Sequence, residues 1–448
     1  MLGVVAGALY TLSPLTAWCV VLGAIVLKLA GRGLPAGDRR TLRIVLAVAL
    51  IARIVAVGAL FVVNTPLHDD ESVAMLSGDE AYDLSRALRT RDLVTGVPVG
   101  QYDYFVAGDE YGRTSYITLL TGIQVLFGPT PYSMRFLNTL LFLIAAILLF
   151  RTARSAFGPL PAFGGLIVLL FLPTLFVWSI SLMKEPLYLL GSTLVLTGVV
   201  STLRSLSADA RSAKGSARSL AAAAVGVMIV SDLRPGAIVL TLGGIGCGLA
   251  LLAFFSLPLR LRLAAGAAAV FAVVAAASTT SAQQRVTGAL ETTAKMHAGN
   301  VFTVGHSYKL LDEVFYANPT VAAASRLTFT TAEAARYVIR SAASFIAVPL
   351  PWQLASVREL AYLPEQMVWY VMIALLPFGI VAGWRRSRVA TAMIAGFVLP
   401  TAAALALTNG NVGTLLRLRG IVIPYLLWLS AVGFCACLQQ LATEGATE

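Results

Sequence analysis

The chain has 448 residues, of which 58% are hydrophobic and 12% are charged, about half the charged share of an ordinary soluble protein. Its mean hydropathy is +0.81, so a soluble fold could not cover its apolar surface. This composition excludes soluble enzymes, disordered chains and nucleic-acid-binding modules, and it predicts an all-α polytopic membrane protein. The net charge of +11 does not indicate a nucleic-acid partner, because the basic residues lie between long apolar runs.

Eleven apolar runs approach or exceed the roughly 20 residues that a helix needs to cross a bilayer. They predict about eleven transmembrane helices. In chain order the runs cover residues 2–29, 41–63, 131–150, 160–180, 186–203, 219–232, 236–256, 261–279, 366–384, 390–408 and 420–439.

The positions of Lys and Arg predict the orientation of these helices. Five loops that fall on one side of the predicted topology are basic, and the positive-inside rule places that side in the cytoplasm. The N-terminus is therefore predicted outside and the C-terminus inside. The basic residues of these loops are Lys28, Arg32, Arg39, Arg40, Arg43, Arg151, Arg154, Arg204, Arg211, Lys214, Arg218, Arg260, Arg262, Arg385, Arg386 and Arg388.

The predicted topology divides the chain into five segments. Residues 64–130 form a first extracytoplasmic loop, with an acidic helix and a short apolar helix at the outer interface. Residues 280–365 form a second extracytoplasmic loop, interpreted as a lid of amphipathic helices. The other segments are the N-terminal transmembrane helices (1–63), a transmembrane core (131–279) and the C-terminal transmembrane helices (366–448).

The first outer loop contains an acidic segment with helical spacing. Ser77 and Glu80 match a helix capping box, whereas Asp79, Asp83 and Arg86 share one face. This face displays a general base, or it is a solvated surface with an Asp83–Arg86 pair. Glu80 has a capping role available and Asp79 has none, so Asp79 is the preferred base. The N-terminus of a helix favours negative charge, which limits the strength of a base at that position.

The order of these elements is similar to that of a known enzyme superfamily. The Asp79-Glu80 pair leads the helix, a Gly-Arg-Thr-Ser-Tyr stretch opens the next one, and Arg135 opens a span. Over residues 70–260 this order resembles the C-type glycosyltransferase superfamily (GT-C), in particular bacterial lipid A aminoarabinose transferases and protein O-mannosyltransferases. Beyond residue 280 the chain is instead similar to uncharacterised exopolysaccharide-associated relatives of that superfamily.

The resemblance implies an integral membrane enzyme that takes a sugar from a polyprenyl-phosphate carrier. It implies that Asp79, with Glu80 beside it, is catalytic. It also implies a second acidic residue where an outer turn re-enters the membrane, a position that Glu185 matches. Lys184 and Glu185 interrupt apolar sequence where charge is costly, which favours a functional role. The alternative is that these charges only mark the membrane interface, with the side chain of Lys184 reaching to lipid headgroups.

A polyprenyl phosphate needs cations at headgroup depth, and three Arg residues on the predicted outer side are candidates. Arg417 and Arg419 precede the last span, and Arg234 lies between two spans. The alternatives are contacts with lipid headgroups, or an Arg234–Asp232 pair. The predicted substrate-binding set is Tyr82, Asp83, Arg113, Lys184, Arg234, Arg417 and Arg419, with Arg135 a further candidate for the phosphate.

The second outer loop contains potential metal ligands, including His297, His306 and Glu291, but without tight ligand spacing. No metal site is therefore assigned, and a divalent cation is left open as a cofactor.

Together these observations predict a multi-pass glycosyltransferase in the bacterial cytoplasmic membrane, with its active site on the extracytoplasmic face. Asp79 would be the general base, and the reaction would invert the anomeric carbon. The expected partners are a polyprenyl-phosphate-linked or diphosphate-linked sugar donor, a glycan, lipid or protein acceptor, and the bilayer, with no nucleic acid. Two alternatives stay open: a polysaccharide polymerase or ligase that uses a lipid-diphosphate-linked glycan, and a non-enzymatic flippase or transporter of lipid-linked oligosaccharides.

Overall fold

A computed structural model describes residues 13–64, 78–108, 114–207, 213–234, 236–303, 305–316, 329–353 and 360–444. These residues are largely α-helical; they contain no β-strand beyond an isolated bridge between Ser307 and Asn411. The chain divides into two compact units, residues 1–241 (unit 1) and 242–448 (unit 2).

Unit 1 consists of ten helices in its described part, and an eleventh begins just before its end. Several helices start with Pro in their first turn, where the missing N–H costs nothing. The helices are α1 (Pro14–Ala30), α2 (Ala36–Asn64), α3 (Gly78–Thr95), α4 (Gln101–Gly108), α5 (Ser115–Phe127), α6 (Pro131–Phe157), α7 (Pro159–Phe171), α8 (Pro173–Ile180), α9 (Glu185–Ser207), α10 (Ala213–Ser231) and α11 (Ala237–Ser256).

Helix α6 lies at the centre of unit 1. It packs against α1, α2, α7, α8 and α9, and it is the most buried of the long apolar helices described. Helices α9 and α10 approach each other closely at Gly198, where an added Cβ would overlap the backbone of Ser219. Small residues permit such close helix contacts in a bilayer, where burial alone does not drive association.

The apolar run at 160–180 is not one straight helix. It forms α7 and α8, which meet at an angle of 61° where Pro173 opens α8. The break leaves the carbonyl of Leu170 to accept a hydrogen bond from Arg53 Nη2 at 2.8 Å. Arg53 Nε also donates to Ser179 Oγ at 2.7 Å, so this fully buried cation joins both sides of the break.

Unit 2 contains most of α11 and seven further helices in its described part. Helices α13 and α14 lie in the second predicted outer loop, and α14 begins with a capping box formed by Thr330 and Glu333. The helices are α12 (Leu259–Ala277), α13 (Thr280–Val301), α14 (Thr331–Ala347), α15 (Leu363–Arg386), α16 (Arg388–Thr408), α17 (Val412–Arg419) and α18 (Ile423–Glu444), with short 3-10 turns at Glu313–Tyr316 and Pro351–Gln353.

Seven described helices are long and apolar enough to cross a membrane, namely α2, α6, α9, α11, α15, α16 and α18; the bent pair α7–α8 would make eight. The chain is therefore a polytopic helical membrane protein. The other predicted spans are also helical, but they are not among the helices that are long and apolar enough. The total of eleven crossings is therefore still a prediction. Helix α5 has only 13 residues, which agrees with the short apolar helix expected there.

Within each unit, the basic loops predicted to share one side lie at the same end. In unit 1, Arg154 Nε donates to Asp38 Oδ2 at 2.7 Å, and Arg204 Nη1 donates to Ser155 Oγ at 2.7 Å. In unit 2, the rings of Phe255 and Trp384 join the α11–α12 turn to the end of α15, with centroids 5.3 Å apart. The grouping of these loops agrees with the predicted topology, whereas the side that they face remains a prediction.

Candidate functional site

The turn between α8 and α9 is held by a buried ion pair. Glu80 Oε1 lies 2.5 Å from Arg135 Nη1, and both side chains are completely buried. The same carboxylate oxygen accepts the N–H of Leu182 at 2.7 Å, and Arg135 Nη1 donates to the carbonyl of Ile180 at 3.0 Å. The acidic helix α3 is thereby attached to the turn that precedes Glu185.

Asn138 holds the same turn from helix α6. Its Nδ2 lies 2.6 Å from the carbonyl oxygen of Ser181, 3.0 Å from that of Met183 and 2.9 Å from Tyr116 Oη. Asn138 and Tyr116 are both buried, so these hydrogen bonds are shielded from water. The position of Glu185 is consequently set by α3, α5 and α6 together.

Glu185 is the first residue of α9 and is 3% exposed. Its Oε1 lies 3.5 Å from Arg234 Nη2, whereas its Oε2 is buried without a hydrogen-bond partner among the residues that the structure describes. The turn that carries Arg234 is fixed to α5, because the N–H of Ser115 donates to the carbonyl of Asp232 at 3.2 Å. An unmet acceptor at a buried carboxylate indicates binding capacity at this point.

Asp83 is buried beside the other charged groups. Burial raises its pKa to about 6; Glu185 and Asp79 add to the increase, and Lys184 and Arg86 oppose it. These four groups therefore lie within electrostatic range of Asp83. We call Asp79, Asp83 and Glu185 the carboxylate cluster. Within it Asp79 is exposed and Asp83 is buried, so their chemical environments differ.

The remaining residues predicted in the first outer loop have the following positions. Glu80 is engaged by Arg135 and Leu182 rather than exposed to a substrate. Tyr82 is 44% exposed, and its Oη accepts Arg86 Nη1 at 2.7 Å. The helix that starts near Ser77 is confirmed as α3, but its polar face is only partly solvated, because Asp79 is exposed whereas Asp83 and Arg86 are buried. Ser77 and Arg113 lie outside the described residues.

The two Arg residues predicted to bind phosphate near the last span belong to unit 2. Arg419 is 1% exposed; it donates to Gln366 Oε1 at 2.8 Å and to the carbonyl of Val348 at 2.6 Å, and it lies over the ring of Trp369. The guanidinium of Arg419 thus stabilises the C-terminal end of α14. Arg417, on the same short helix, is half-buried.

His297 has a structural environment in unit 2. Its Nδ1 lies 2.6 Å from the carbonyl oxygen of Asn409, and its Nε2 accepts the N–H of Leu310 at 3.3 Å. Burial lowers the pKa of His297 to about 4, so the ring is neutral at physiological pH. Gly410 packs against this ring, and a Cβ there would overlap the side chain of Val301 and the carbonyl oxygen of His297. In the described parts of the chain, no three His, Cys, Asp or Glu side chains come together as a metal site.

The sequence pattern revealed only part of this site. Glu80 and Arg135 were candidates but not as a pair between α3 and α6, and Asn138 and Tyr116 were not selected as functional. A signal was available for Arg135 and Asn138, because polar side chains within an apolar span are costly unless they have partners.

No protein-family model, no curated protein and no solved structure matches the chain. The resemblance to C-type glycosyltransferases therefore remains a hypothesis that depends on the residues quoted for it.

Proposed function

We propose that the chain is a membrane glycosyltransferase that moves a sugar from a polyprenyl-phosphate or polyprenyl-diphosphate donor to an acceptor at the outer face of the bacterial cytoplasmic membrane. The observation that carries the proposal is the carboxylate cluster, which lies beside Lys184 and Arg234 at the ends of long apolar helices. Carboxylates for proton transfer and cations for a phosphate are the groups that this reaction requires.

In the proposed reaction, Asp79 takes the proton of an acceptor hydroxyl. The acceptor oxygen forms a bond to the anomeric carbon, while the bond from that carbon to the phosphate oxygen breaks. The bonding electron pair leaves with the phosphate, whose developing charge Arg234 and Lys184 stabilise. Attack opposite the leaving group inverts the anomeric carbon. Glu185 orients Arg234 through the contact of 3.5 Å between them.

The geometry distinguishes the two neighbouring acids of α3. Glu80 is fully buried and bound to Arg135, so its role in this proposal is to position the α8–α9 turn. Asp79 is exposed at the first turn of the same helix and is accessible to an acceptor. Asp83 is the alternative acceptor of that single proton, since a base works best when its pKa lies near the working pH.

The test is mass spectrometry of lipid extracts from cells that produce the wild-type protein, Asp79→Asn or Asp92→Asn. Asp92 lies on the same helix but pairs with Arg91 outside the cluster, so it is the matched control. We expect a polyprenyl-phosphate sugar to accumulate with Asp79→Asn and not with Asp92→Asn. An unchanged lipid-linked pool with a fully active Asp79→Asn protein would overturn the proposal.

The same experiment separates a transferase from a polysaccharide polymerase or ligase. Those enzymes share the lipid-linked donor but should depend on Arg side chains more than on a carboxylate base. If Arg417→Gln abolishes transfer and Asp79→Asn does not, the polymerase or ligase alternative replaces the proposal.

A further inference from the structure

Unit 2 contains an apolar groove of about 460 Å³ that is distinct from the carboxylate cluster. Helices α11, α12, α15 and α16 supply its walls. The apolar side chains along it include Leu251, Phe255, Ile380, Val381, Trp384 and Leu399. Apolar walls of this kind are suited to bind a hydrocarbon chain.

One part of this groove is lined by cations. Arg262 and Arg385 both line it, and no acidic side chain of the described residues does. Arg262 is fixed in place, because its Nη2 donates to the carbonyls of Phe255 and Leu257 at 3.1 and 3.0 Å. Arg385 is exposed and can move toward an anion.

Two buried polar atoms on the groove have unmet hydrogen-bonding capacity. Thr391 is 1% exposed, and its Oγ1 has no hydrogen-bond partner in the described structure. The Nε of Arg262 is likewise buried without a partner among those residues. A donor and a hydroxyl left without partners on a groove with cations indicate a missing acceptor such as a phosphate oxygen.

The start of α16 adds to the positive potential here. Ser387 caps this 21-residue helix by accepting the N–H of Ala390 at 3.4 Å, and Thr391 lies in its first turns. The N-terminal end of a helix carries partial positive charge and favours an anion. Charge, helix dipole and unmet polar atoms therefore all favour a negatively charged headgroup.

We infer that this groove binds one anionic phospholipid, with its phosphate on Arg262, Arg385 and Thr391 and an acyl chain along the apolar wall. The predicted topology places the basic loops in the cytoplasm, so the lipid belongs to the inner leaflet. The sugar donor of the proposed function belongs to the outer side, so the two proposals stand independently. Basic pockets between transmembrane helices are suited to anionic headgroups.

The test is native mass spectrometry of the purified protein in mild detergent, titrated with phosphatidylglycerol or with phosphatidylcholine of the same acyl chains. We expect phosphatidylglycerol to bind more tightly to the wild-type protein. Each Arg near the headgroup should contribute about fivefold, so Arg262→Gln/Arg385→Gln should lose about 25-fold of that affinity. Arg385→Gln alone, at an exposed position that does not endanger folding, should lose about fivefold.

The matched control is Arg260→Gln/Arg388→Gln, which removes two exposed charges that do not line the groove. It should retain the preference for phosphatidylglycerol. Ala395→Phe fills the groove without changing its charge and should abolish binding of both lipids, while Thr391→Val should weaken both, because each lipid carries a phosphate for this hydroxyl. Equal binding of the two lipids, equal losses in the control, or occupation of the groove by a second copy of the chain would each overturn the inference.

Discussion

Asp83 shows how one residue can report on the carboxylate cluster. Burial and the neighbouring carboxylates raise its pKa more than Lys184 and Arg86 lower it, with a net value of about 6 against an ordinary 3.8. The folded state therefore binds more protons than the unfolded state between pH 4 and 6. It follows that the stability contributed by this group falls as pH rises through that window and is constant above it.

Asp83→Asn removes this ionisation, so we expect a higher melting temperature than that of the wild-type protein at pH 7.5. The shift corresponds to roughly 2–3 kcal/mol, at about 1.4 kcal/mol per pKa unit. The advantage should vanish near pH 4, where Asp83 is protonated in both states. Thermal unfolding in detergent across this pH range measures the difference in melting temperature, and Asp92→Asn should show no increase in melting temperature. A lower melting temperature for Asp83→Asn at pH 7.5 would contradict the environment described for Asp83.

The ion pair between Glu80 and Arg135 is a contact that the sequence pattern does not predict. Spacing along one helix predicts neighbours three or four residues apart, and it correctly placed Asp79 and Asp83 on one helix. It cannot predict a partner from another helix: the local pattern offers Glu80 a capping role, and the resemblance implies a catalytic one. Its contact with Arg135 at 2.5 Å depends on how α3 packs against α6 and the α8–α9 turn.

At the scale of helices, hydropathy predicted most of the architecture. Over the described residues, which leave out 2–12 of the first run, each of the eleven apolar runs coincides with one or two helices, because an apolar run in a bilayer must satisfy its backbone internally. The break at Pro173 was not predicted, since the run at 160–180 is continuous in hydropathy. Hydropathy also did not predict the contacts between helices, because these depend on the shapes of the packed helix surfaces rather than on apolar content.

The packing of α15 against α18 gives a prediction for helix contacts. Gly379 touches Gly433 and the carbonyl of Leu429, and a Cβ at Gly379 would overlap that carbonyl. We expect Gly379→Ala to lower the free energy of unfolding by more than about 2 kcal/mol, because backbone on both helices must move. Gly246→Ala is the control in the same unit, where nothing lies within 4 Å and the change should be neutral or slightly stabilising. Equal melting temperatures for the two variants, measured in detergent, would show that the α15–α18 contact is loosely packed.

At the scale of the whole molecule, the orientation in the membrane connects the two proposals. The basic loops of unit 1 meet through Arg154 and Asp38, and those of unit 2 meet through Phe255 and Trp384. This grouping is geometric, whereas the assignment of the basic ends to the cytoplasm comes from charge bias alone. The side of the carboxylate cluster and the leaflet of the phospholipid groove both depend on that assignment.

Cysteine labelling in intact cells can measure the orientation directly. The four native cysteines are free thiols within helices and would first be replaced by Ala. Single cysteines would then be introduced at exposed positions, Thr95→Cys and Ser278→Cys on the predicted outer side and Gly37→Cys and Ser256→Cys on the predicted inner side. We expect a membrane-impermeant maleimide to label the first pair in intact cells and the second pair only after permeabilisation.

Each outcome of this labelling has a definite consequence for the reaction. Labelling of the first pair places the carboxylate cluster where a polyprenyl-linked donor and an external acceptor can meet, as the proposed function requires. Reversed labelling places the cluster in the cytoplasm, where soluble sugar donors are available and a lipid-linked donor has no advantage. The proposed use of a lipid-linked sugar would then lose its physical basis, even though the site itself would be unchanged. Labelling that differs within each pair, between its position in unit 1 and its position in unit 2, would instead show that the number of crossings between them is not the one predicted.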